Sequence, residues 1–214
     1  MMNIIIAGDS TFAIELARLS VAKGNSKVML VIRDKEKAMK VGSELSAIVV
    51  NGDATNTATL DELDLKNCDV FVAATDSEKA NVLSSLYAKN AGAKKVFIRI
   101  ENPDAEPLLK KLGFIAINPD IFAARYIELM ITRPAVADLV TPGTGEFDMI
   151  EMPAIETKLE GKKLGNARGK YFTVIATYNK GNYDFSKEKT IASEDTLILL
   201  VPAGKEKEAE KELK

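Results

Sequence analysis

The stretch that most constrains the fold is the opening of the chain, Asn3-Ile-Ile-Ile-Ala-Gly-Asp-Ser-Thr-Phe-Ala-Ile-Glu-Leu-Ala17. Residues 4–7 form a short apolar run with the length and β-branching of a strand buried on both faces. The run stops at Gly8, and a helical pattern begins at about Thr11, with Phe12, Leu16 and Leu19 on one face. A buried strand turning directly into a helix exposes unpaired amides at the helix N-terminus, and those amides attract phosphate. A dinucleotide turn calls for G-x-G-x-x-G, and the chain has Gly8-Asp9-Ser10-Thr11-Phe12-Ala13. The first glycine is kept. Ala13 in place of the third still lets helix and strand pack closely, whereas Ser10 stands where a pyrophosphate presses on the backbone. The alternative reading of this stretch is an α/β turn without a ligand.

The pattern then repeats. Lys23-Gly24-Asn25 stops the first helix, and residues 28–32 form a second apolar strand. An NAD-binding chain places a carboxylate at the end of that strand to accept from the ribose hydroxyls, but here the position holds Arg33, followed by Asp34. Arg33 suits a 2′-phosphate or another phosphate better than a bare diol. Asp34 serves the ribose if the strand ends one residue later, and a solvated turn is the third option. Residues 35–45 read as a helix and 47–50 as a strand ending in Asn51-Gly52-Asp53-Ala54-Thr55. Asp53 there either accepts from an adenine amino group or caps the following helix, the commoner use of such a residue.

A short helix over 56–63 precedes a strand over 69–74, with Thr75-Asp76-Ser77 at its carboxyl end, where open α/β sheets bind ligands. The helix over 77–90 is expected to bury Val82, Leu83, Leu86 and Tyr87. The strand over 96–100 carries Arg99 amid apolar neighbours, and a charge so placed needs a partner. That partner is either a ligand phosphate or a carboxylate such as Asp76. A helix over 103–112, a strand over 115–117 and an apolar helix over 121–131 complete an alternation that predicts a doubly wound, mostly parallel sheet with right-handed crossovers. The surface of the last helix is apolar enough to be packed on its own domain or buried between two copies.

From Thr132 the pattern changes. Residues 132–146 read as a linker with one helical turn over 135–139, and 147–214 as a small α+β domain. Its strands are expected over 147–152, 172–178 and 196–201, with a helical segment over 161–164, a turn over 179–182 and a solvated charged helix over 205–214. The expected domains are therefore 1–131, 132–146 and 147–214.

Composition removes several classes of function. The formal net charge of −2 argues against nucleic-acid binding. The chain has no histidine and one cysteine, Cys68, so an intrachain disulfide is impossible, a metal site is not expected, and a reduced intracellular setting fits. No apolar run reaches the roughly 18 residues that span a bilayer, so a cytoplasmic protein is expected.

The Gly8 turn, Gly52-Asp53-Ala54-Thr55, Ala74-Thr75-Asp76 with Asn81, Arg99, Leu112-Gly113 and Asn118-Pro119 occur in an order that resembles the TrkA N-terminal domain, also called KTN or RCK. Glu151, Leu159-x-Gly161-Lys162-x-Leu164 and Glu194-Asp195-Thr-Leu-Ile-Leu199 resemble the C-terminal domain of the same family. The resemblance implies a Rossmann-like fold and a non-enzymatic, cytoplasmic regulatory subunit of a Trk- or Ktr-type potassium transporter. Such a subunit binds ATP, ADP, AMP or NAD(P)(H), forms dimers or rings of dimers, and docks on a membrane subunit at the inner face of the cell membrane. It further implies that Gly8, Asp9, Ser10, Thr11 and Phe12 line the phosphates and that Arg33 or Asp34 lies by the ribose. Gly52, Asp53 and Ala54 then sit by the adenine, Ala74, Thr75, Asp76 and Asn81 border ribose and phosphates, and Arg99 reaches a distal phosphate. The helix over 121–131 corresponds to the helix through which the family dimerises. Ser10 and Arg33 depart from the NAD pattern. Two rival readings are an assembly subunit with a degenerate pocket and a nicotinamide-dependent oxidoreductase, the latter opposed by the lack of histidine.

Overall fold

Each apolar run of the N-terminal half becomes a strand, and the polar stretches between them become helices. The computed structural model describes residues 1–22, 24–141 and 145–214, so Lys23 of the expected helix stop and 142–144 of the expected linker lie outside the described residues. In chain order the elements are β1 (Met2–Ala7), α1 (Thr11–Ala22), β2 (Ser26–Ile32), α2 (Lys35–Glu44), β3 (Ile48–Asn51), α3 (Thr57–Asp61), β4 (Val70–Ala73), α4 (Glu78–Asn90), β5 (Lys95–Arg99), α5 (Glu106–Lys111) and β6 (Ile115–Ile117). All strand pairs in this half are parallel, in the order β3-β2-β1-β4-β5-β6. This is the doubly wound Rossmann-like arrangement, in which the strand order reverses between β1 and β4 and a crevice opens at their carboxyl ends.

Period-two alternation sorts the strand side chains between two cores. Ile4, Ile6, Val70 and Val72 join Ala13 and Ala17 of α1 and Ala38 and Val41 of α2 on one face. Ile5, Ala7, Phe71, Ala73 and Ile98 join Leu60 of α3, Ala88 of α4 and Leu109 of α5 on the other. Phe71, Ile6, Leu30, Ile32 and Ile98 are fully buried, and each such side chain contributes about 1.5–3 kcal/mol.

Two helices bury small residues beside part of the expected faces: Val82 and Tyr87 of α4 and Phe12 and Leu16 of α1 are half-buried against the cores. In α4 the sheet-facing side chains are Asn81, Ser84, Ser85 and Ala88, while Leu83 and Leu86 are 53% and 40% exposed. In α1 it is Ala13 and Ala17 that are buried, and Leu19 is exposed. In both cases small residues let the helix approach a sheet whose own side chains fill the interface.

Compact packing divides the chain into Met1–Ala123 and Ala124–Lys214, within α6 (Pro119–Thr132). Among its residues α6 buries none. The second unit continues through α7 (Pro134–Val140), β7 (Phe147–Pro153), β8 (Thr173–Asn179), β9 (Asn182–Asp184), β10 (Thr196–Pro202) and α8 (Glu206–Leu213). Its sheet is antiparallel in the order β7-β10-β8-β9. Lys180 and Gly181, both at positive φ, make the two-residue hairpin from β8 to β9, so the expected turn also starts a strand. The expected helical segment over 161–164 is instead a 3-10 turn over Leu164–Asn166.

The terminal helix is not a solvated tail. Ala209 and Leu213 are fully buried in the second core, and the Glu212 carboxylate accepts from the amides of Lys170 and Tyr171 at 2.8 and 3.1 Å.

Candidate nucleotide site

The candidate site is built from the loops at the carboxyl edge of the parallel sheet. At the β1–α1 turn Gly8 has φ +144°, and a Cβ there would stand 2.5 Å from the carbonyl carbon and oxygen of Ala74. Only glycine permits the two loops to approach this closely. Its amide donates to the Val31 carbonyl at 2.9 Å.

Ser10, in the position of the second fingerprint glycine, is buried. Its hydroxyl donates to the Ala74 carbonyl at 2.7 Å and accepts from the Ala13 amide at 3.2 Å. It therefore acts as the N-cap of α1 and ties that helix to the end of β4. Because the side chain is turned into the protein, it leaves the approach to the turn clear. Helix geometry leaves the Thr11 and Phe12 amides without acceptors inside α1. Thr11 is exposed, and Asp9 and Phe12 are half-buried beside them.

At the ends of β4 and β5 a single side chain sets the geometry. The β4–β5 register places Ala73 opposite Ile98, and its continuation would bring the Thr75 amide onto the Arg99 carbonyl. The carboxamide of buried Asn81 stands between them instead. Its oxygen accepts from the Thr75 amide at 2.9 Å and the Thr75 hydroxyl at 2.6 Å. Its nitrogen donates to the carbonyls of Thr75 and Arg99, each at 3.0 Å. That uses the full hydrogen-bonding capacity of an asparagine. Asn81, expected to border the ribose and phosphates, is saturated inside the protein and positions Thr75.

Arg99 projects from the end of β5 with its side chain 21% exposed, and its Nη1 donates to Asp76 Oδ1 at 2.6 Å. Of the two partners left open for this cation, the structure supplies the carboxylate. Among the described residues Nε and Nη2 of Arg99 have no partner. Glu78, which the sequence reading passed over, shapes the next loop by accepting from the amides of Glu101 and Asn102 at 2.8 and 3.1 Å. A carboxylate one residue into a helix was the available signal for it.

On the other side of the crevice β2 ends at Ile32, so Asp34 is not the strand-end residue. Its carboxylate instead caps α2 by accepting from the Lys37 amide at 2.7 Å. Asp53 does not cap α3, whose N-cap is Asn56. Its Oδ1 accepts from the Thr55 amide at 2.8 Å and hydroxyl at 2.7 Å, and Arg33 Nη1 lies 3.8 Å from its other oxygen. The two Thr55 hydrogen bonds, aided by the Arg33 charge and opposed by partial burial, hold the Asp53 carboxyl below its usual range. Gly52 donates its amide to the Ile32 carbonyl at 3.0 Å, and Ala54 is buried in the core. Asn51, also unforeseen, pins the backbone at the end of β2 by donating to the carbonyls of Ile32 and Arg33 at 3.0 and 2.9 Å.

The loops thus bring together free helix amides, two arginines and a glycine-lined approach. Among the described residues no three of His, Cys, Asp and Glu stand close enough to hold a metal ion, and no helix is long and apolar enough to cross a membrane.

Comparison with known proteins places this architecture. The model of the TrkA-N domain matches residues 4–119. A Trk system potassium uptake protein TrkA homolog of Methanothermobacter thermautotrophicus is 34% identical over 212 residues, 97% of each chain. One from Archaeoglobus fulgidus is 32% identical over 207 residues, 94% of this chain but only 47% of the relative, so the chain spans about half of that longer protein. Among solved structures, the GsuK channel bound to NAD has a TM-score of 0.53 at 18% identity over 94% of this chain and 37% of that one. The NAD(P)-binding domain of an exopolyphosphatase-related protein from Archaeoglobus fulgidus has a TM-score of 0.52 at 16% identity, over 61% and 98% of the two chains. At those identities the likeness is one of fold. With a family model over more than half of its length and a relative one-third identical along nearly all of it, the chain belongs to the TrkA family.

Proposed function

We propose that the chain is a nucleotide-binding regulatory subunit of a potassium-transport system, acting by ligand-dependent change in its oligomer and catalysing no reaction of its own. The observation that carries this reading is the juxtaposition of the Gly8 turn, with its free α1 amides, and the Thr75–Arg99 end of β4 and β5. Backbone donors on one side and a guanidinium on the other fit an adenine nucleotide phosphate chain. In this reading Gly8, Ser10, Thr11 and Phe12 hold phosphate through the backbone, with Asp9 at their edge. Arg33 lies by the ribose, Gly52, Asp53 and Ala54 wall the adenine side, and Ala74, Thr75 and Asp76 border the phosphates. Asn81 holds Thr75 in place, and Arg99 takes a distal phosphate once released from Asp76.

The ligand is ATP, ADP, AMP or NAD(P)(H). It regulates only if it binds two arrangements of the assembly with different affinity. Phe122, Ile127, Met130 and Ile131 of α6 are 69%, 52%, 42% and 76% exposed. Burial against a second copy accounts for this apolar surface, and a homodimer or ring of dimers docking on a membrane potassium-transporter subunit follows from that reading. The functional division at 131 and 147, with the last portion resembling a TrkA C-terminal domain, belongs to the same proposal.

Calorimetry with ATP, ADP, AMP, NAD(H) and NADP(H) tests the ligand half. Binding by at least one supports it, and silence from all of them at millimolar concentration removes it. A second reading, an assembly subunit without a ligand, is favoured by the carboxylates that already face both arginines, Asp53 for Arg33 and Asp76 for Arg99. It predicts an intact oligomer together with that silence.

A further inference from the structure

The end of β2 contains the chain's sharpest statement about its ligand. A nucleotide with a free ribose diol is held at such a strand end by a carboxylate that accepts from both hydroxyls. Neither Ile32, the last residue of β2, nor Arg33, the next, is a carboxylate, and Asp34 has turned to cap α2 through the Lys37 amide. Asp53 is engaged by the amide and hydroxyl of Thr55.

What the strand end presents instead is a cation with a fixed base and a free head. Asn51 anchors the Arg33 carbonyl at 2.9 Å. The guanidinium is 81% exposed and stands 3.8 Å from Asp53, an ion pair too long to be a hydrogen bond. Among the described residues its five N–H donors are therefore unspent. Arg is weakly hydrated and presents a planar fork that matches a phosphate through two parallel hydrogen bonds. Asp53, in the loop that follows β3, is the carboxylate that faces this guanidinium.

From this geometry, and resting on the nucleotide reading above, we infer that the site selects an adenine nucleotide with a 2′-phosphate on its adenosine ribose over one with a free diol. Arg33 is the specificity-determining residue. The ligand class is the 2′-phosphorylated dinucleotide, NADP(H), in preference to NAD(H).

The test is calorimetric titration of the full chain with 5′-AMP, adenosine 2′,5′-bisphosphate, adenosine 3′,5′-bisphosphate, NAD+ and NADP+ at one salt concentration. The 2′,5′-bisphosphate is expected to bind about tenfold or more tightly than 5′-AMP, equivalent to about 1.4 kcal/mol, and NADP+ is expected to exceed NAD+ similarly. Arg33→Ala should bring each pair to within about threefold, and Arg33→Asp should reverse the order toward NAD+. The side chain is exposed, so an unchanged melting temperature is expected to show that both variants are folded. Equal affinity for NAD+ and NADP+, or a ratio unmoved by Arg33→Ala, overturns the inference. So does an equal gain from the 3′,5′ isomer, which would reveal bulk charge rather than a fitted fork. If 5′-AMP binds but no 2′ preference appears, only this inference falls. If no adenylate binds at all, the nucleotide reading falls with it.

Discussion

Replacing Asn81 with alanine measures how much of the site rests on one buried carboxamide. The change strands the Thr75 amide and the Arg99 carbonyl, which among the described residues have no other partner at the point where the β4–β5 ladder is interrupted. The Thr75 hydroxyl can fall back on the Ser77 carbonyl at 3.1 Å, and the Thr75 carbonyl keeps a long contact with Arg99 Nη1 at 3.5 Å. Two stranded groups at about 1–3 kcal/mol each give a loss of about 3–4 kcal/mol once some water reaches the half-exposed Thr75. That is a large part of the roughly 5–15 kcal/mol that stabilises a domain. In urea titrations, with a slope of about 1–3 kcal/mol/M, the midpoint should fall by about 1–4 M. Asn81→Asp keeps the acceptors but turns a carboxylate on two carbonyls, so its deficit should shrink as acid protonates the new group. A loss below about 1 kcal/mol for Asn81→Ala would refute the reasoning, because it would mean that the ladder closes without the clasp.

Other perturbations separate the remaining parts. Gly8→Ala forces a Cβ to 2.5 Å from the Ala74 backbone at a φ hostile to side chains; a loss of about 3 kcal/mol or more is expected in the same titration, and a loss under about 1 kcal/mol would show that the loops can part. Asp76→Asn frees Arg99, so phosphate-bearing ligands should bind about two- to fivefold more tightly at low salt, with the gain fading in high salt; unchanged calorimetric affinity would mean that Arg99 faces no ligand. The Asp53 carboxyl is held down first by the Thr55 amide and then by the Thr55 hydroxyl. The stability it supplies is present above the ordinary value of 3.8 and is lost as pH falls through the lowered one. Thr55→Val should therefore melt earlier than the parent at pH 6 and converge with it in acid, and a gap independent of pH would contradict that. Leu213→Ala should cost about 2–3 kcal/mol if α8 packs as observed, whereas a solvated tail would tolerate it.

The strands of the parallel sheet were legible because a strand covered on both faces must be apolar along its whole length, and residues 4–7, 28–32 and 70–74 are. The packing faces of α1 and α4 were legible only in part, since Val82, Tyr87, Phe12 and Leu16 do pack on the cores. Leu83 and Leu86 dominate the periodicity of α4, yet the distance of closest approach to the sheet is set by Ser84, Ser85 and Ala88, whose small size carries no hydrophobic signal. The amphipathic tail was misjudged for a related reason: two buried residues, Ala209 and Leu213, are outnumbered by charges that face outward. At the candidate site a polar side chain admits several partners. Asp34, Asp53 and Asn81 were each read as available to a ligand, and each is committed to a neighbouring amide, which only the folded register reveals. Arg99 pairs with Asp76, one of the two partners that its place in an apolar strand left open.

The most direct test of the account follows backbone amide signals of the isotopically labelled chain while an adenine nucleotide is added. Shifts should concentrate at Asp9 to Phe12, Arg33, Thr75, Asp76 and Arg99, around the crevice between the carboxyl ends of β1 and β4. Shifts confined to the separate surface hollow of about 330 Å³ lined by Leu60, Asp61, Lys66 and Tyr87, or no shifts at all, would contradict it.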